Sequence, residues 1–203
     1  MKATFFLLLI LIASSFRNAP QVYRADASAS QLTWTGYAEV GTWAPSGTLR
    51  LAQGRIEADG LTLRAARFEF DMRTIAHDNE QLQGHLRGAD FFDAERHPIA
   101  VFELREVSGA TARGQLTLKG IGKPVQFPVQ VSRMVNGQLR VAGRATVDRT
   151  QFGVTFNSAN FFQNLGDHAI RNDFQLDFVV VASPVQAAAK PRPAAVGKFP
   201  KGR

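Results

Sequence analysis

Apolar and polar residues alternate over much of the middle of the chain, and this period of two sets the strongest limit on its fold. The alternation is clear at residues 67–72, where Phe68, Phe70 and Met72 share one side and charged residues the other. It recurs over residues 125–132, 139–148 and 173–180. Because successive strand residues point to opposite faces, the pattern predicts half-buried antiparallel strands; a doubly covered parallel sheet would give continuous apolar runs.

Glycine-containing segments between these runs predict the turns. Asn136-Gly137 lies between two alternating runs and is typical of a two-residue hairpin. Residues 52–54 and 120–124 predict two further turns for the same reason. Short turns of this kind join neighbouring antiparallel strands, so we expect a meander.

One segment departs from the alternation. Residues 78–87 place Leu82 and Leu86 four positions apart, which is the spacing of one helical face. A sheet of about eight strands without crossover helices closes or packs as a sandwich, because open edges invite aggregation. We therefore predict an all-β fold, a closed antiparallel barrel of about eight strands with one short helical connection, and keep a sandwich as the alternative.

The formal net charge of +7 belongs to the two ends of the chain. From Pro184 onward there are five basic residues and no acid, and before Val22 there are two basic residues and no acid. The body between them has no net charge. A nucleic-acid partner is not expected, because such domains carry clustered basic residues in the folded body.

The first residues are typical of a secretory signal. Lys2 is followed by an uninterrupted Phe, Leu and Ile run over residues 5–12, and then by Ala13, Ser14 and Ser15. The run is shorter than the roughly 20 apolar residues that cross a bilayer. We predict a cleaved signal peptide within residues 1–20, with an uncleaved anchor or a buried helix as the alternative. The chain contains no cysteine, so no lipidated anchor is expected.

The last segment, residues 184–203, mixes alanine, proline and basic residues without apolar periodicity. This composition predicts a disordered basic tail. Basic groups near an anionic membrane are attracted by about 1 kcal/mol each, so weak membrane-surface contact is one interpretation. A solvated tail without a partner is the favoured one.

Few residues suggest covalent chemistry. The absence of cysteine excludes thiol nucleophiles, disulfides and cysteine-bound metals. The four histidines, His77, His85, His97 and His168, do not have the spacing of a known metal motif. There is no Gly-x-Ser-x-Gly nucleophile elbow. We predict a protein that is not an enzyme, without metal or catalytic residues, and keep a metal- or histidine-dependent enzyme as an alternative.

The aromatic residues raise a second question. The chain has 16 phenylalanines against two tyrosines and two tryptophans. These apolar rings either fill a packed core or line an empty cavity that accepts an apolar guest. Composition by itself favours the filled core.

Three ordered motifs resemble the YceI-like family. The first, HLRGADFFDAERHPIAVF at residues 85–102, carries a His-Leu pair, a DFFD stretch, and a later proline and phenylalanine. The second is GQLTLKGIGKPVQF at residues 114–127, and the third is VDRTQFG at residues 147–153. The resemblance covers the body of the chain, and we assign a YceI-like barrel domain to residues 22–183.

The resemblance implies a lipocalin-like barrel, export to the periplasm, and a long isoprenoid, quinone-like or other amphipathic lipid held inside without covalent chemistry. It changes the preferred interpretation of the aromatic rings to a lined cavity. No cofactor other than this bound lipid is expected, and a homodimer is left open. A solid-core structural or stress-response domain remains an alternative. The predicted ligand-binding residues are Phe68, Phe70, His85, Phe91, Phe92, Phe102, Phe127, Arg149, Phe152, Phe161 and Phe162.

Several of these residues also have structural interpretations. Arg149 pairs with Asp148 in a salt bridge, which we favour over ligand contact. His85 either caps the helix or meets a ligand head group. Phe91 and Phe92 either plug the barrel or gate it.

Overall fold

A computed structural model describes residues 19–186 of the chain. Most of the predicted signal peptide and of the predicted basic tail therefore lies outside the described residues. Among the described residues, no helix is long and apolar enough to cross a membrane.

The described chain forms eight antiparallel strands that close into a barrel, each paired with the next and the last with the first. This confirms the predicted fold class. The strands are β1 (Gln21–Thr35), β2 (Ser46–Asp59), β3 (Thr62–Ala76), β4 (Ile99–Ser108), β5 (Thr111–Leu118), β6 (Ile121–Arg133), β7 (Leu139–Asp148) and β8 (Asp173–Pro184). One helix, α1 (Glu80–Arg87), lies between β3 and β4.

The alternation in the sequence becomes the inside and outside of the barrel. In β3, Phe68, Phe70 and Met72 are buried, whereas Arg67 is exposed and pairs with Glu103 on β4. Antiparallel register with β4 places Phe68 opposite Phe102 on the inner face. A closed barrel leaves no sheet edge unpaired, which removes the aggregation hazard of an open sheet.

The turn predictions are partly confirmed. Lys119 and Gly120 form a tight hairpin with positive φ between the paired residues Leu118 and Ile121, so of the predicted segment 120–124 only its first residue turns. The hairpin predicted at Asn136-Gly137 is present between β6 and β7, but its length of two residues is wrong: the connection is residues 134–138, with Gly137 left-handed at φ +82. The extra residues let the Met134 N–H bond to the Gln138 carbonyl (2.8 Å).

The turn predicted at residues 52–54 is also wrong. These residues lie inside β2, where the pairing with β3 shifts register between Leu51 and Gln53. The segment is thus an irregularity within a strand, a common position for a strand glycine. Gly54 lies opposite Phe68 on β3, and the Phe68 ring fills the space beside it.

Helix α1 begins and ends at identifiable caps. The Asn79 side chain accepts a hydrogen bond from the Leu82 N–H (3.0 Å), and the Gly88 N–H closes the other end on the His85 carbonyl. The His85 side chain is therefore not a cap. Arg87 fixes the helix to β3 by donating from Nε and Nη2 to the Ile75 carbonyl at 2.9 and 2.6 Å.

The two ends of the barrel differ. At the end we call the hairpin end, short connections at residues 60–61, 109–110 and 134–138 join the strands. At the opposite end, which we call the cap end, lie α1 and the longer connections at residues 36–45 and 149–172. The cap end therefore holds most of the irregular chain.

Candidate functional site

The barrel encloses a cavity of about 180 Å³. All eight strands contribute to its wall, together with α1 and the segment that follows it. Nearly every lining side chain is apolar, from Leu63 and Ala66 near the hairpin end to Phe174 at the cap end. A single water needs about 10–15 Å³ of such space, so the cavity holds a guest of many atoms.

On the side formed by β1, β2, β7 and β8, the cavity stops short of the hairpin end. Tyr23, Ile56, Ala58, Leu139 and Ala182 are almost fully buried there but do not line the cavity. We call these five residues the floor. Arg133 seals it from outside by donating to the Tyr23 hydroxyl (3.2 Å) and the Gly60 carbonyl (3.1 Å).

At the cap end the lining reaches exposed residues of the connection at residues 36–45. A small hairpin forms there through hydrogen bonds from the Gly36 N–H to the Pro45 carbonyl and from the Ala38 N–H to the Trp43 carbonyl, both 3.0 Å. Trp43 lines the cavity and is 57% exposed. We call this region the mouth, because the cavity wall and the solvent-exposed surface meet there.

Most of the predicted ligand-binding residues surround the cavity. The structure brings eight of them into its wall, although ligand contact itself stays a prediction. They are Phe68, Phe70, His85, Phe91, Phe92, Phe102, Phe127 and Arg149.

The other three predicted residues do not line the cavity. Phe152 is buried at 1% exposure in the one-turn 3-10 helix Arg149–Phe152 that follows β7, so its ring contributes to packing elsewhere. Phe161 and Phe162 are 57% and 46% exposed in the connection between β7 and β8. Phe161 and Phe162 belong to a predicted loop and not to an alternating strand, so the sequence pattern gave no reason to place their rings inside the barrel.

Phe91 and Phe92 cover part of the cap end. Both rings are buried, and their centroids lie 5.0 Å apart in an edge-to-face arrangement. Lys119 fixes this segment, because its Nζ donates to the carbonyls of Ala89 (3.1 Å) and Phe91 (2.9 Å). The pair is thus held in place as part of the wall.

Strand glycines make room for the aromatic wall, a signal that the sequence carries but that the predictions did not use. Trp34 faces Gly47, and Phe178 faces Gly143, across neighbouring strands. A Cβ added at Gly47 or Gly143 would lie 2.7 Å from the facing ring. Each ring therefore occupies the space that a side chain would take, instead of standing further into the lumen.

Two buried polar atoms in the cavity wall have no hydrogen-bond partner. Within residues 19–186, Trp34 Nε1 and His85 Nε2 are the buried side-chain nitrogen or oxygen atoms left unpaired. Both residues line the cavity. Trp34 was not among the predicted ligand-binding residues, because nothing in a sequence shows that a buried polar atom lacks a partner.

Arg149 is a buried cation whose partners are backbone carbonyls. Its Nε donates to Arg171 O (3.0 Å), Nη1 to Val154 O (2.8 Å) and Nη2 to Ile170 O (3.0 Å). The side chain is 2% exposed and also borders the cavity. It thereby ties both halves of the connection between β7 and β8 to the barrel.

The favoured salt bridge between Asp148 and Arg149 is wrong for this structure, since no ion pair joins the two side chains among the described residues. Asp148 Oδ1 instead accepts from the backbone N–H and the hydroxyl of Thr150, at 2.9 and 2.6 Å. Burial lowers the pKa of Arg149 below its ordinary value, and the charge of Asp148 opposes that shift. Although Asp148 and Arg149 are neighbours in the chain, their side chains point to different partners: Asp148 accepts hydrogen bonds from Thr150, and Arg149 donates to backbone carbonyls.

The histidines serve separate local roles. His77 Nδ1 accepts a hydrogen bond from the Asn79 N–H (2.9 Å), and its ring lies 5.8 Å from that of Trp34. His85 lines the cavity, and His168 is exposed. Among residues 19–186, no cluster of three or more histidine or acidic side chains could hold a metal ion.

Two solved structures share the fold. BcnA of Burkholderia cenocepacia superposes with a TM-score of 0.65 at 19% identity, covering 78% of this chain and 99% of BcnA. A domain from Saccharophagus degradans, described as polyisoprenoid-binding and implicated in plant cell wall breakdown, gives 0.65 at 14% identity, with coverage of 81% and 99%. These similarities support the lipocalin-like barrel.

Sequence comparison gives the family. A UPF0312 protein of Staphylococcus epidermidis is 32% identical over 93 residues, or 42% of this chain and 54% of that protein. A UPF0312 protein of Staphylococcus aureus is 32% identical over 92 residues, with the same coverage. The chain thus spans about half the length of the curated relatives it matches. The model of the YceI-like domain matches residues 23–182, well over half of the chain, so the protein belongs to the YceI-like family.

Proposed function

We propose that this protein binds and carries a long-chain isoprenoid or another amphipathic lipid inside the barrel, without covalent chemistry. The observation that carries the proposal is the apolar cavity of about 180 Å³ between the floor and the mouth. Apolar cavities of this kind stay free of water and accept apolar guests.

The energetics support a hydrocarbon guest. Each buried methylene group contributes about 0.8 kcal/mol, so ten of them contribute about 8 kcal/mol before the costs of association. The inner rings supply the contacts: the Phe127 centroid lies 5.2 Å from that of Phe102 and 5.5 Å from that of Phe178. A flexible tail gains more from such a wall than a compact polar molecule does.

The comparisons point to the same class of function. One structural neighbour is described as a polyisoprenoid-binding domain, and the family membership agrees with a binding protein rather than an enzyme. A hollow interior also favours a carrier over the solid-core domain that composition by itself favoured. The enzyme alternative has no specific observation in its favour.

Extraction of the natively purified protein with organic solvent, followed by mass spectrometry, tests the proposal. We expect a long-chain isoprenoid or related lipid in amounts approaching one per protein. Repeated extractions without lipid, together with no binding of prenyl probes, would contradict it.

A pair of neighbouring substitutions tests whether the lipid lies inside the barrel. Ala66 lines the cavity, and Ala65 beside it is exposed on the outer face of β3. Ala66→Phe fills part of the cavity, so we expect prenyl-probe affinity to fall about tenfold or more. Ala65→Phe adds the same ring outside and should leave affinity unchanged. Equal effects of the two substitutions would place the ligand elsewhere.

We also propose that the protein is exported to the periplasm, on the strength of the signal-like residues 1–20. Cell fractionation with mass measurement of the mature chain tests this, and an intact cytoplasmic chain would contradict it. The homodimer and the weak membrane contact of residues 184–203 stay predictions. Native mass measurement tests the first, and vesicle sedimentation with and without the tail tests the second.

A further inference from the structure

The exposed aromatic side chains of the barrel lie at one of its ends. Within residues 19–186, the aromatic residues exposed to solvent are Trp43, Phe161 and Phe162. All three belong to the two long connections of the cap end, and Val40 is exposed on the same connection as Trp43. We call these four residues the rim. Single exposed apolar residues are ordinary on a protein surface, whereas a group of them marks a contact surface.

Hydrogen bonds hold the two connections of the rim together. The Glu39 N–H donates to the Ala169 carbonyl and the Arg171 N–H donates to the Tyr37 carbonyl, both at 2.9 Å. The Arg171 guanidinium also lies over the Tyr37 ring, 5.1 Å from its centroid. The two connections therefore form one surface rather than two independent loops.

The turn that carries Phe161 and Phe162 is fixed to the start of β8. Ser158 is fully buried, and its hydroxyl donates to Asn172 Oδ1 (2.6 Å), immediately before that strand. The backbone N–H groups of Phe161 and Phe162 both donate to the Ser158 carbonyl at 3.0 Å. This anchored turn holds the two rings on the outside, which explains why they do not line the cavity.

The rim adjoins the opening of the cavity. Trp43 belongs both to the cavity wall and to the exposed surface. Tyr37 and Arg171, which join the two connections, line the cavity as well. A partner protein seated on the rim would close the mouth, whereas the acyl region of a bilayer would continue the apolar wall. An apolar guest could then pass between bilayer and barrel without full exposure to water, which is the favourable route.

The segments that carry the rim have no charged side chain. Residues 40–45 and 154–166 contain no lysine, arginine, aspartate or glutamate. Charged side chains are costly at the depth of the acyl chains, and tryptophan is enriched where a bilayer meets water. An uncharged surface that presents tryptophan and phenylalanine therefore suits a bilayer, and it does not need anionic lipid.

The hairpin end has a different surface. Among the described residues, its exposed large apolar side chains are aliphatic, and they include Leu61 and Val135. Strand β8 ends there, so the basic residues of 184–203 follow from that end of the barrel. Contact through those basic groups would require anionic lipid and would weaken at high salt. Salt and lipid charge therefore distinguish a membrane contact at one end from a contact at the other.

We propose that the rim docks on the surface of a lipid bilayer, with its aromatic side chains among the headgroups and the outer part of the acyl chains. The mouth then opens towards the bilayer. The guest of the barrel moves between bilayer and cavity at this point, a step that rests on the proposed lipid-binding function. The docking itself is apolar, so neutral phosphatidylcholine supports it.

Sedimentation of the full chain with phosphatidylcholine vesicles at high salt tests the docking without the contribution of the basic tail. Phe161→Ser combined with Phe162→Ser, the rim variant, removes two exposed rings that do not line the cavity. We expect its vesicle partition coefficient to be about tenfold lower or more.

Leu61→Ser combined with Val135→Ser is the matched control, because it removes two exposed apolar side chains at the hairpin end. Its vesicle binding should equal that of the wild type. Equal losses in the two double variants, or unchanged binding of the rim variant, would overturn the docking.

Tryptophan fluorescence gives an independent test that leaves the rim apolar. The chain has two tryptophans, and Trp34 lies in the cavity wall. With phosphatidylcholine vesicles that carry bromine on their acyl chains, we expect the emission of the wild type to be quenched. Trp43→Phe keeps an aromatic ring at the rim and should lose most of this quenching. No quenching of the wild type, or equal quenching of both chains, would contradict the docking.

Binding of a short prenol in solution, without vesicles, separates the docking from the proposed function. We expect the rim variant to bind this probe as tightly as the wild type does. If it loses prenol affinity and vesicle binding alike, the two phenylalanines belong to the ligand site and the docking is wrong. If no prenol binds while the rim still holds the wild type on vesicles, the proposed function fails and the docking stands. A native mass that shows a dimer in the wild type and a monomer in the rim variant, without vesicle binding, would make the rim a contact between copies and overturn the docking.

Discussion

Arg149 helps to hold the cap end of the barrel together, because three backbone carbonyls from one long connection converge on its guanidinium. Trp34 lines the same cavity, and its buried Nε1 has no hydrogen-bond partner. The sequence motif identified Arg149 as important but suggested Asp148 as its partner. The true partners are carbonyls up to 22 positions away, which no local pattern can reveal.

Replacing Arg149 should be strongly destabilising. Arg149→Met keeps the apolar stem but leaves three carbonyls without their donors, so we expect the free energy of unfolding to fall by about 3 kcal/mol or more. Urea unfolding followed by circular dichroism measures the change. Arg144→Met is the matched control, because Arg144 pairs with Asp177 on the exposed outer face. Its stability should stay close to that of the wild type, because exposed ion pairs contribute little, and equal losses for both variants would contradict the structural role of Arg149.

Removing the unpaired indole N–H should stabilise the ligand-free protein. An unsatisfied buried donor costs about 1–3 kcal/mol, and Trp34→Phe relieves that cost while giving up some apolar contact. We expect a net gain of about 1 kcal/mol in the free energy of unfolding after lipid has been stripped. Trp43→Phe, at an exposed position, should stay within about 0.5 kcal/mol of wild type. A clear loss of stability in Trp34→Phe would contradict this prediction.

At the scale of strands, the hollow depends on glycine facing an aromatic ring across the sheet. Trp34 with Gly47, Phe68 with Gly54 and Phe178 with Gly143 are direct cross-strand pairs. Alternation predicted the strands because their inner faces are apolar whether the barrel is filled or hollow. It misassigned residues 52–54 because glycine signals a turn and a strand irregularity alike.

A side chain at one of these glycines should disturb both the wall and the lumen. In Gly143→Ala the new methyl group would lie 2.5 Å from the Pro128 carbonyl and 2.7 Å from Phe178 Cζ. We expect a loss of about 1–3 kcal/mol in stability together with weaker prenyl-probe binding, because the ring must move. Thermal melts and probe titration measure the two effects.

Gly84→Ala is the matched control, since Gly84 is exposed on helix α1 and a Cβ added there would meet no neighbouring group within 4 Å. Alanine in a helix usually gains about 0.4–1 kcal/mol. Equal changes in stability and in probe binding for Gly143→Ala and Gly84→Ala would contradict the interpretation that the strand glycines make room for the rings.

For the molecule as a whole, composition and charge predicted a neutral domain between two basic ends, and period-two patterning predicted a closed barrel. Composition and alternation could not predict the hollow, because the same apolar residues would fill a narrower barrel; only the resemblance to the YceI-like family favoured a lined cavity. Whether they do so depends on ring orientation, which three-dimensional contacts decide. Eight of the eleven predicted ligand-binding residues reach the wall because they stand at inward positions of strands or in the family's first and third motifs.

The pKa values of several carboxylates predict loss of stability in acid. Burial raises the pKa of Asp148, but hydrogen bonds from Thr150 and Gln151, together with the charge of Arg149, outweigh it and hold that pKa below the ordinary 3.8. Hydrogen bonds from Arg73 hold the pKa of Asp71 below the same value. A carboxylate with a lowered folded-state pKa stabilises the fold above its unfolded-state value, and this contribution disappears as the pH falls through the folded-state value.

We therefore expect the urea midpoint to decrease as the pH is lowered from about 5 to about 3. Asp148→Asn can still accept the bonds from Thr150 but does not titrate, so its midpoint should decrease less over the same interval. Asp71→Asn should behave in the same direction, with a smaller effect at high salt because Arg73 is exposed. Parallel pH curves for wild type and both variants would rule out these carboxylates as the cause.

The floor limits the length of hydrocarbon that the barrel can bury. With one end blocked by Tyr23, Ile56 and their neighbours, a hydrocarbon inserted from the mouth has a fixed depth to occupy. Affinity should climb with each added isoprene unit until the tip meets this barrier and then level off, because further units remain in water. A homologous series of prenols would accordingly show a break, and the barrel would act as a ruler for its guest.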